Sequence, residues 1–223
     1  MSQCLTRGRD HGRRWCGPPG LCVAVLGPDG AGKSTLIEHL KERLNGTVAY
    51  VEVFHLRPPL KRRAAAGPVT DPHGQAPHPL WLSWLKIPYY VIAYGLGYIL
   101  GVRPHLARSA LVLFDRYYDD LLVDPRRYRY GGPMKLAWFA RRFIPRPDLV
   151  LILDVPVDQL RRRKQEISVE ELRRQRAAYR RLGDSLPTGV LLDGSLPPDS
   201  VTRSACQIIT THLRERRRAH ARG

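Results

Sequence analysis

Apolar residues in this chain fall into two kinds of run: short unbroken ones bounded by Gly, Pro or Asp, and longer ones in which they return every third or fourth position. Leu21-Cys22-Val23-Ala24-Val25-Leu26 is of the first kind and predicts a strand buried on both faces. Thr47–Phe54, rich in β-branched residues, predicts a second. Ala110–Asp115, Asp148–Asp154 and Thr188–Asp193 predict three more, each apolar run closing on an aspartate. The second kind predicts helices. In Ser34–Leu44, Leu36, Ile37, Leu40 and Leu44 recur at helical spacing before Asn45-Gly46 supplies a stop; Met134–Phe143, Val169–Leu182 and Ser200–Arg216 follow. Strand and helix alternate from Leu21 onward, the pattern of an α/β domain.

Two segments break the alternation. Residues 58–79 are rich in Pro, Gly, Arg and Ala, and predict a long loop of the functional or mobile kind. Leu80–Val102 is the most apolar stretch. Its uncharged part, Ile87–Val102, is shorter than the about 20 residues a membrane span needs and contains Pro88, so a buried helix is expected there and no transmembrane segment. Tyr90, Tyr94 and Tyr98 recur every fourth position and share one face, with packing the favoured role and a ligand pocket the alternative. Residues 1–19 read as a disordered basic extension, 20–217 as one domain and 218–223 as a basic tail.

Composition narrows the picture only a little. With 223 residues and 43% hydrophobic content, the chain can bury a sizeable core, which argues against disorder. Lys and Arg number 37 against 20 acidic residues; the net +17 favours anionic partners and equally fits a bias toward arginine. Peripheral membrane contact stays open, and nucleic acid is disfavoured as a partner. Cys4, Cys16, Cys22 and Cys206 form no C-x-x-C pair and no metal-ligand spacing, so reduced thiols and a cytoplasmic location are expected.

The chemistry begins where the first strand ends. Gly27-Pro28-Asp29-Gly30-Ala31-Gly32-Lys33-Ser34, followed by Thr35, fits G-x-x-x-x-G-K-[ST] between a strand and a helix. Its glycines let backbone N–H groups converge on phosphate oxygens, and the helix N-terminus adds partial positive charge. Lys33 can reach β- and γ-phosphates, and the Ser34 hydroxyl can ligate Mg²⁺. Asp115 ends a strand where a doubly wound sheet opens its ligand crevice, and can act on Mg²⁺ directly or through water. Arg116 can hold an acceptor phosphate bidentately. Asp124–Gly132 alternates Arg with aromatics, suited to stacking and anion contacts or, equally, to a solvated loop. Arg161-Arg162-Arg163-Lys164 can neutralise transition-state charge or form a solvated basic face.

Taken in order over most of Leu21–Arg214, these features resemble the thymidylate kinases, a family of nucleoside monophosphate kinases. The residues that carry the resemblance are Gly27–Thr35, Asp115-Arg116-Tyr117, Leu153-Asp154-Val155-Pro156, Arg161–Glu166, Tyr179-Arg180, and Leu192-Asp193-Gly194 with its closing helix. It implies the α/β P-loop NTPase fold, a five-stranded parallel sheet flanked by helices, with a short lid at about residues 160–170. It implies ATP and Mg²⁺ as cofactors: Gly27, Asp29, Gly30, Ala31, Gly32, Lys33, Ser34 and Thr35 would bind the phosphates, with Ser34 and Asp115 on the metal. Arg57, Arg116 and Tyr117 would meet a small-molecule phosphate acceptor, and the loop after Asp193 would lie near adenine. Because Gly30 stands where part of the family keeps a catalytic arginine, Arg162 and Arg163 of the lid are implied instead, alongside Lys33, Asp115 and Arg116. A homodimer is left open.

The departures fall on the acceptor side. Arg57-Pro58-Pro59-Leu60 replaces Arg-Glu-Pro-Gly-Gly, and Tyr94-Gly95 lies where a helix would carry a second acceptor arginine. Asp119-Asp120 and the Arg126–Tyr130 run replace a serine and a glutamine. The implied reaction is transfer of the γ-phosphate of Mg·ATP to a nucleoside monophosphate, with dTMP first, or to a sugar or glycolipid on the same scaffold. A nucleotide-dependent switch or binding protein ranks below both, since Asn45 is the only asparagine and a guanine-reading Asn-Lys-x-Asp signature cannot be met.

Overall fold

The five apolar runs become the strands β1 (Leu21–Leu26), β2 (Val51–His55), β3 (Leu111–Asp115), β4 (Leu149–Asp154) and β5 (Gly189–Asp193). They form one sheet in the order β2-β3-β1-β4-β5, and every pairing is parallel. The computed structural model describes residues 20–56, 79–163 and 167–222. The expected extension at 1–19, most of the expected loop at 58–79, and Arg57 therefore lie outside the described residues.

A parallel sheet must be covered on both faces, and strand periodicity divides the core accordingly. Cys22, Ala24 and Leu26 point to one side, with Phe54, Val112, Phe114, Val150 and Ile152. Leu21, Val23 and Val25 point to the other, with Leu111, Leu113, Leu149 and Leu151. On that second side lie α1 (Lys33–Arg43), through Leu36, Ile37 and Leu40, and α8 (Pro198–Arg222), through Val201, Ala205, Ile209 and Leu213. The first side is covered by α2 (Leu80–Gly97), α4 (Asp119–Val123), α5 (Met134–Ala140) and much of α7 (Val169–Ser185). Helix α3 (Arg103–Ala107) precedes β3, and α6 (Val157–Arg163) follows β4.

Three expectations need correction. The helix from Leu80 does not stop at Val102: a π-turn at Tyr98–Val102 carries it into α3, so Leu82–Ala107 is a 26-residue helical span, long and apolar enough to cross a membrane by length and composition. Nor is it a buried helix, for only 33% of its most apolar window is buried. Ile87, Tyr90, Ala93 and Tyr94 pack on the sheet, while Trp84, Leu85, Tyr89, Ile92, Leu96, Ile99 and Leu100 face outward. Composition alone cannot separate these two sides, because both are apolar. At the other end, the expected tail is helical through residue 222, since no breaker interrupts Arg214–Arg222.

The tyrosines recurring at every fourth position do pack. Tyr94 is 1% exposed, its ring lies 4.9 Å from that of Tyr117 and 6.0 Å from that of Tyr118, and its hydroxyl donates to the Leu56 carbonyl.

Candidate active site

The strand order reverses at β1, between β3 and β4, and the carboxyl ends of all five strands open onto one cavity of ≈ 540 Å³. Its floor is the glycine loop from Asp29 to Thr35. Two glycines are required by the path of the chain. Gly27 has φ 145°, and a Cβ there would lie 3.1 Å from the Leu153 carbonyl oxygen. Gly32, at φ 92°, turns the chain into α1 in the left-handed region that glycine adopts at little cost. Lys33 is folded back over the loop, its Nζ donating to the carbonyls of Gly27 at 2.7 Å and Pro28 at 2.8 Å. Burial, with the Arg116 guanidinium alongside, brings the Lys33 ammonium down from 10.5 to about 7.

Asp115 closes β3 beside this loop. Its Oδ2 lies 3.3 Å from His55 Nδ1, and its Oδ1 is buried with no hydrogen-bond partner. Burial opposes ionisation of this carboxyl, but the His55 hydrogen bond and the charges of Lys33, His55 and Arg116 hold it below the ordinary carboxylate range. A buried anionic oxygen without a donor suits a hydrated cation, so the residues present fit Mg²⁺ brought in with a polyphosphate. Among the described residues there is no cluster of three or more His, Cys, Asp or Glu side chains that would hold a metal by itself.

Arg116 follows with φ 74°, a left-handed backbone that a non-glycine residue adopts only when its surroundings enforce it. Its own N–H donates to the Val25 carbonyl at 3.1 Å, which ties β3 to β1. Arg116 is 7% exposed: Nη1 donates to Asp120 Oδ2 at 2.8 Å, and Nη2 pairs with Asp29 Oδ1. Asp120 in turn accepts from the Tyr179 hydroxyl at 2.9 Å. The second Asp29 oxygen pairs with Arg127 Nη1, so one loop carboxylate is shared by two arginines. Burial works against the Asp29 charge, yet Arg116, Arg127 and Lys33 outweigh it and hold the carboxyl well below its usual range.

Opposite the loop, Arg163 at the end of α6 donates from Nη1 to the Gly30 carbonyl at 3.2 Å. Gly194, Leu196, Pro198, Val201 and Thr202 line the far wall. Asp154, ending β4, lies outside the cavity lining, clamped by Arg176 at 2.5 and 3.0 Å and by Arg180 at 3.3 Å.

No protein-family model matches the chain. Curated relatives do. The thymidylate kinase of Xanthomonas campestris pv. campestris (strain B100) is 31% identical over 219 residues, covering 92% of this chain and 89% of the relative. The chain belongs to the thymidylate kinase family. The thymidylate kinase of Xanthomonas euvesicatoria pv. vesicatoria (strain 85-10) is 30% identical over 210 residues, covering 89% of this chain and 87% of the relative. That of Pseudomonas fluorescens (strain Pf0-1) is 35% identical over 155 residues, 62% of this chain and 66% of the relative. The five-stranded parallel sheet is the P-loop NTPase fold of this family, and the protein is a phosphotransferase of the nucleoside monophosphate kinase class.

Against this family's pattern, the structure gathers some of the expected residues and separates others. Asp29, Gly30, Ala31, Gly32, Lys33, Ser34, Thr35, Asp115, Arg116 and Arg163 line the same cavity. Gly27 stands just outside, serving the loop through its backbone. Tyr117 does not reach the cavity: it is 2% exposed and its hydroxyl donates to the Pro145 carbonyl at 2.6 Å. Arg162 points to solvent, and Arg57 lies outside the described residues. Sequence reasoning missed His55 and Arg127 as cavity residues. The only signal for Arg127 was the Arg-aromatic alternation of residues 126–130, which fits a solvated loop as well.

Proposed function

We propose that the protein transfers the γ-phosphoryl group of Mg·ATP to a nucleoside monophosphate, dTMP being the preferred acceptor. The observation that carries this reading is the convergence on one cavity of a phosphate-type loop, a carboxylate with an unpartnered buried oxygen, and arginines from two further elements. The loop amides from Gly30 to Thr35, at the N-terminus of α1, would hold the donor phosphates, with Lys33 as a point charge on them. Ser34 and Asp115 would hold Mg²⁺, which supplies charge neutralisation on the phosphates when bound. Arg163, already against Gly30, would stabilise charge on the group in flight. Arg116 would hold the acceptor phosphate in line. That phosphate is mostly dianionic at neutral pH, its second pKa being about 6, so it can attack without a general base. The wall at Gly194–Thr202 would meet adenine.

In this reading residues 20–217 form the kinase domain, with residues 160–170 as its lid. The apolar stripe on α2 and the π-turn supports a homodimer. A second copy laid antiparallel across Trp84–Leu100 would cover it, and within Ile87–Val102 no charged side chain would face its like. Cys22 and Cys206 are free thiols among the described residues, which supports a cytoplasmic location.

An ATP-consumption screen over nucleoside monophosphates and sugars, with Lys33→Ala as the blank, tests the reading. Turnover of dTMP that falls about 10³-fold or more in the blank is expected. Turnover of a sugar or glycolipid with none of any nucleoside monophosphate would overturn it.

A further inference from the structure

The cavity carries, beside Arg116, a second arginine that comes from a part of the chain no motif marks. Among the described residues none of α2 lines the cavity, and Tyr94 is spent on packing and on its bond to Leu56. Arg127, in contrast, lines the cavity beside His55, Asp115 and Arg116. It comes from a turn after α4 that is firmly built. Asp124 Oδ1 accepts from the Arg127 N–H at 3.3 Å, and Asp124 Oδ2 accepts from Gln175 Nε2 of α7 at 3.2 Å. The Pro125 carbonyl accepts from the Tyr128 and Tyr130 N–H groups at 3.2 and 2.9 Å, and Lys86 of α2 donates to the Tyr128 carbonyl.

Two guanidinium groups that share one carboxylate are spaced to share two oxygens of a phosphate. Arg116 and Arg127 each give one nitrogen to Asp29, and a guanidinium carries five N–H donors in all. Arg127 is the more open of the two, its side chain 21% exposed against 8% for Arg116. Close by, the Tyr128 hydroxyl is buried with no hydrogen-bond partner, near Asp120, Arg116 and Arg127. The cavity walls carry three arginines, Arg116, Arg127 and Arg163, together with Lys33, against Asp29 and Asp115, an excess of positive charge that calls for an anion. We propose that Arg127, reaching in from the 124–130 turn, joins Arg116 in the subsite for the acceptor's phosphomonoester. In the resting protein Asp29 holds the pair in position. This inference rests on the acceptor being a nucleoside monophosphate.

The test compares wild type, Arg127→Gln and Arg127→Lys in steady-state assays with dTMP and ATP. Equilibrium binding of dTMP and of thymidine, which lacks the phosphate, is measured on the same proteins. A charge-assisted hydrogen bond contributes about 1.5–3 kcal/mol, so Arg127→Gln should raise the dTMP KM by about tenfold to hundredfold and leave the ATP KM within about twofold. Arg127→Lys should recover part of the loss, since it restores the charge without the fork. Thymidine binding should be unmoved, which a merely structural effect on the pocket would not spare. A dTMP KM within about twofold of wild type in Arg127→Gln, or equal losses for dTMP and thymidine, overturns the subsite. If wild type turns over no nucleoside monophosphate, the function reading falls by itself. The subsite is then judged on equilibrium binding of inorganic phosphate with a non-hydrolysable ATP analogue present, where equal affinity in wild type and Arg127→Gln overturns it.

Discussion

Replacing Asp120 with asparagine tests how far the acceptor side depends on one buried charge. Asp120 is 0% exposed and sits between Arg116, itself 7% exposed, and the Tyr179 hydroxyl. Asparagine keeps the shape and can still accept one hydrogen bond, but its NH₂ must face either the guanidinium or the tyrosine, and the negative charge is gone. Removing one partner of a buried pair costs about 3–5 kcal/mol. Because Asp29 still neutralises Arg116 from the other side, the lower end, about 3 kcal/mol, applies. For a chain of this size a urea m-value of about 3 kcal/mol/M converts that to a midpoint about 1 M lower, with m unchanged. Thermal unfolding should begin about 6–12 °C earlier. Tyr179→Phe, which removes only the hydroxyl donor, should cost less than half as much. A urea midpoint within about 0.3 M of wild type for Asp120→Asn would refute the argument, since Asp120 would then carry little of the charge of Arg116.

Three further outcomes are expected. Arg163→Ala should lower kcat by about 10³-fold while Arg162→Ala changes it less than about threefold, because only Arg163 reaches the loop; equal losses would show that the lid presents both. Asp29 has its folded-state pKa held below the unfolded value of about 3.9, so its stabilisation is complete above that pH and is lost as pH falls toward the folded value. The stability difference between wild type and Asp29→Asn, followed by denaturant titration, should therefore shrink below pH 4 and be constant above about pH 5. Finally, Ile92→Glu, on the outward apolar stripe, should convert a sedimenting dimer to monomer with little change in melting temperature. A wild type that is monomeric at all concentrations, or one that pellets with anionic vesicles through this face, would refute the dimer.

The strands and the glycine loop were legible because their signals are local. Six apolar residues ending in a glycine turn leave few alternatives, and Lys33 to Arg43 needs only its own periodicity to be a helix. The order of the strands is not local, and neither is the pairing of Arg127 with Asp29, 98 positions away. An arginine among arginines carries no mark of the one that turns inward, so the 126–130 run fits anion contacts and a solvated loop equally well. Tyr117 shows the converse. It belongs to a recognisable triplet, yet what decides its surroundings is the ring of Tyr94, from a helix of unrelated sequence. The outward face of α2 stayed hidden for a third reason: hydrophobicity reports a preference for leaving water, not whether this chain alone satisfies it.

Asp29 belongs to the glycine loop by sequence and to Arg116 and Arg127 by contact. In the proposed reaction, phosphates settling on the loop amides would press on the same backbone that carries this carboxylate, and an acceptor anion arriving at Arg116 would compete with it. The two ligands would then share the one charge of Asp29, and their affinities would form a thermodynamic cycle. Whatever factor ATP imposes on acceptor affinity, the acceptor must impose on ATP. Such coupling needs no domain motion; a single side chain held on both sides of the cleft would carry it.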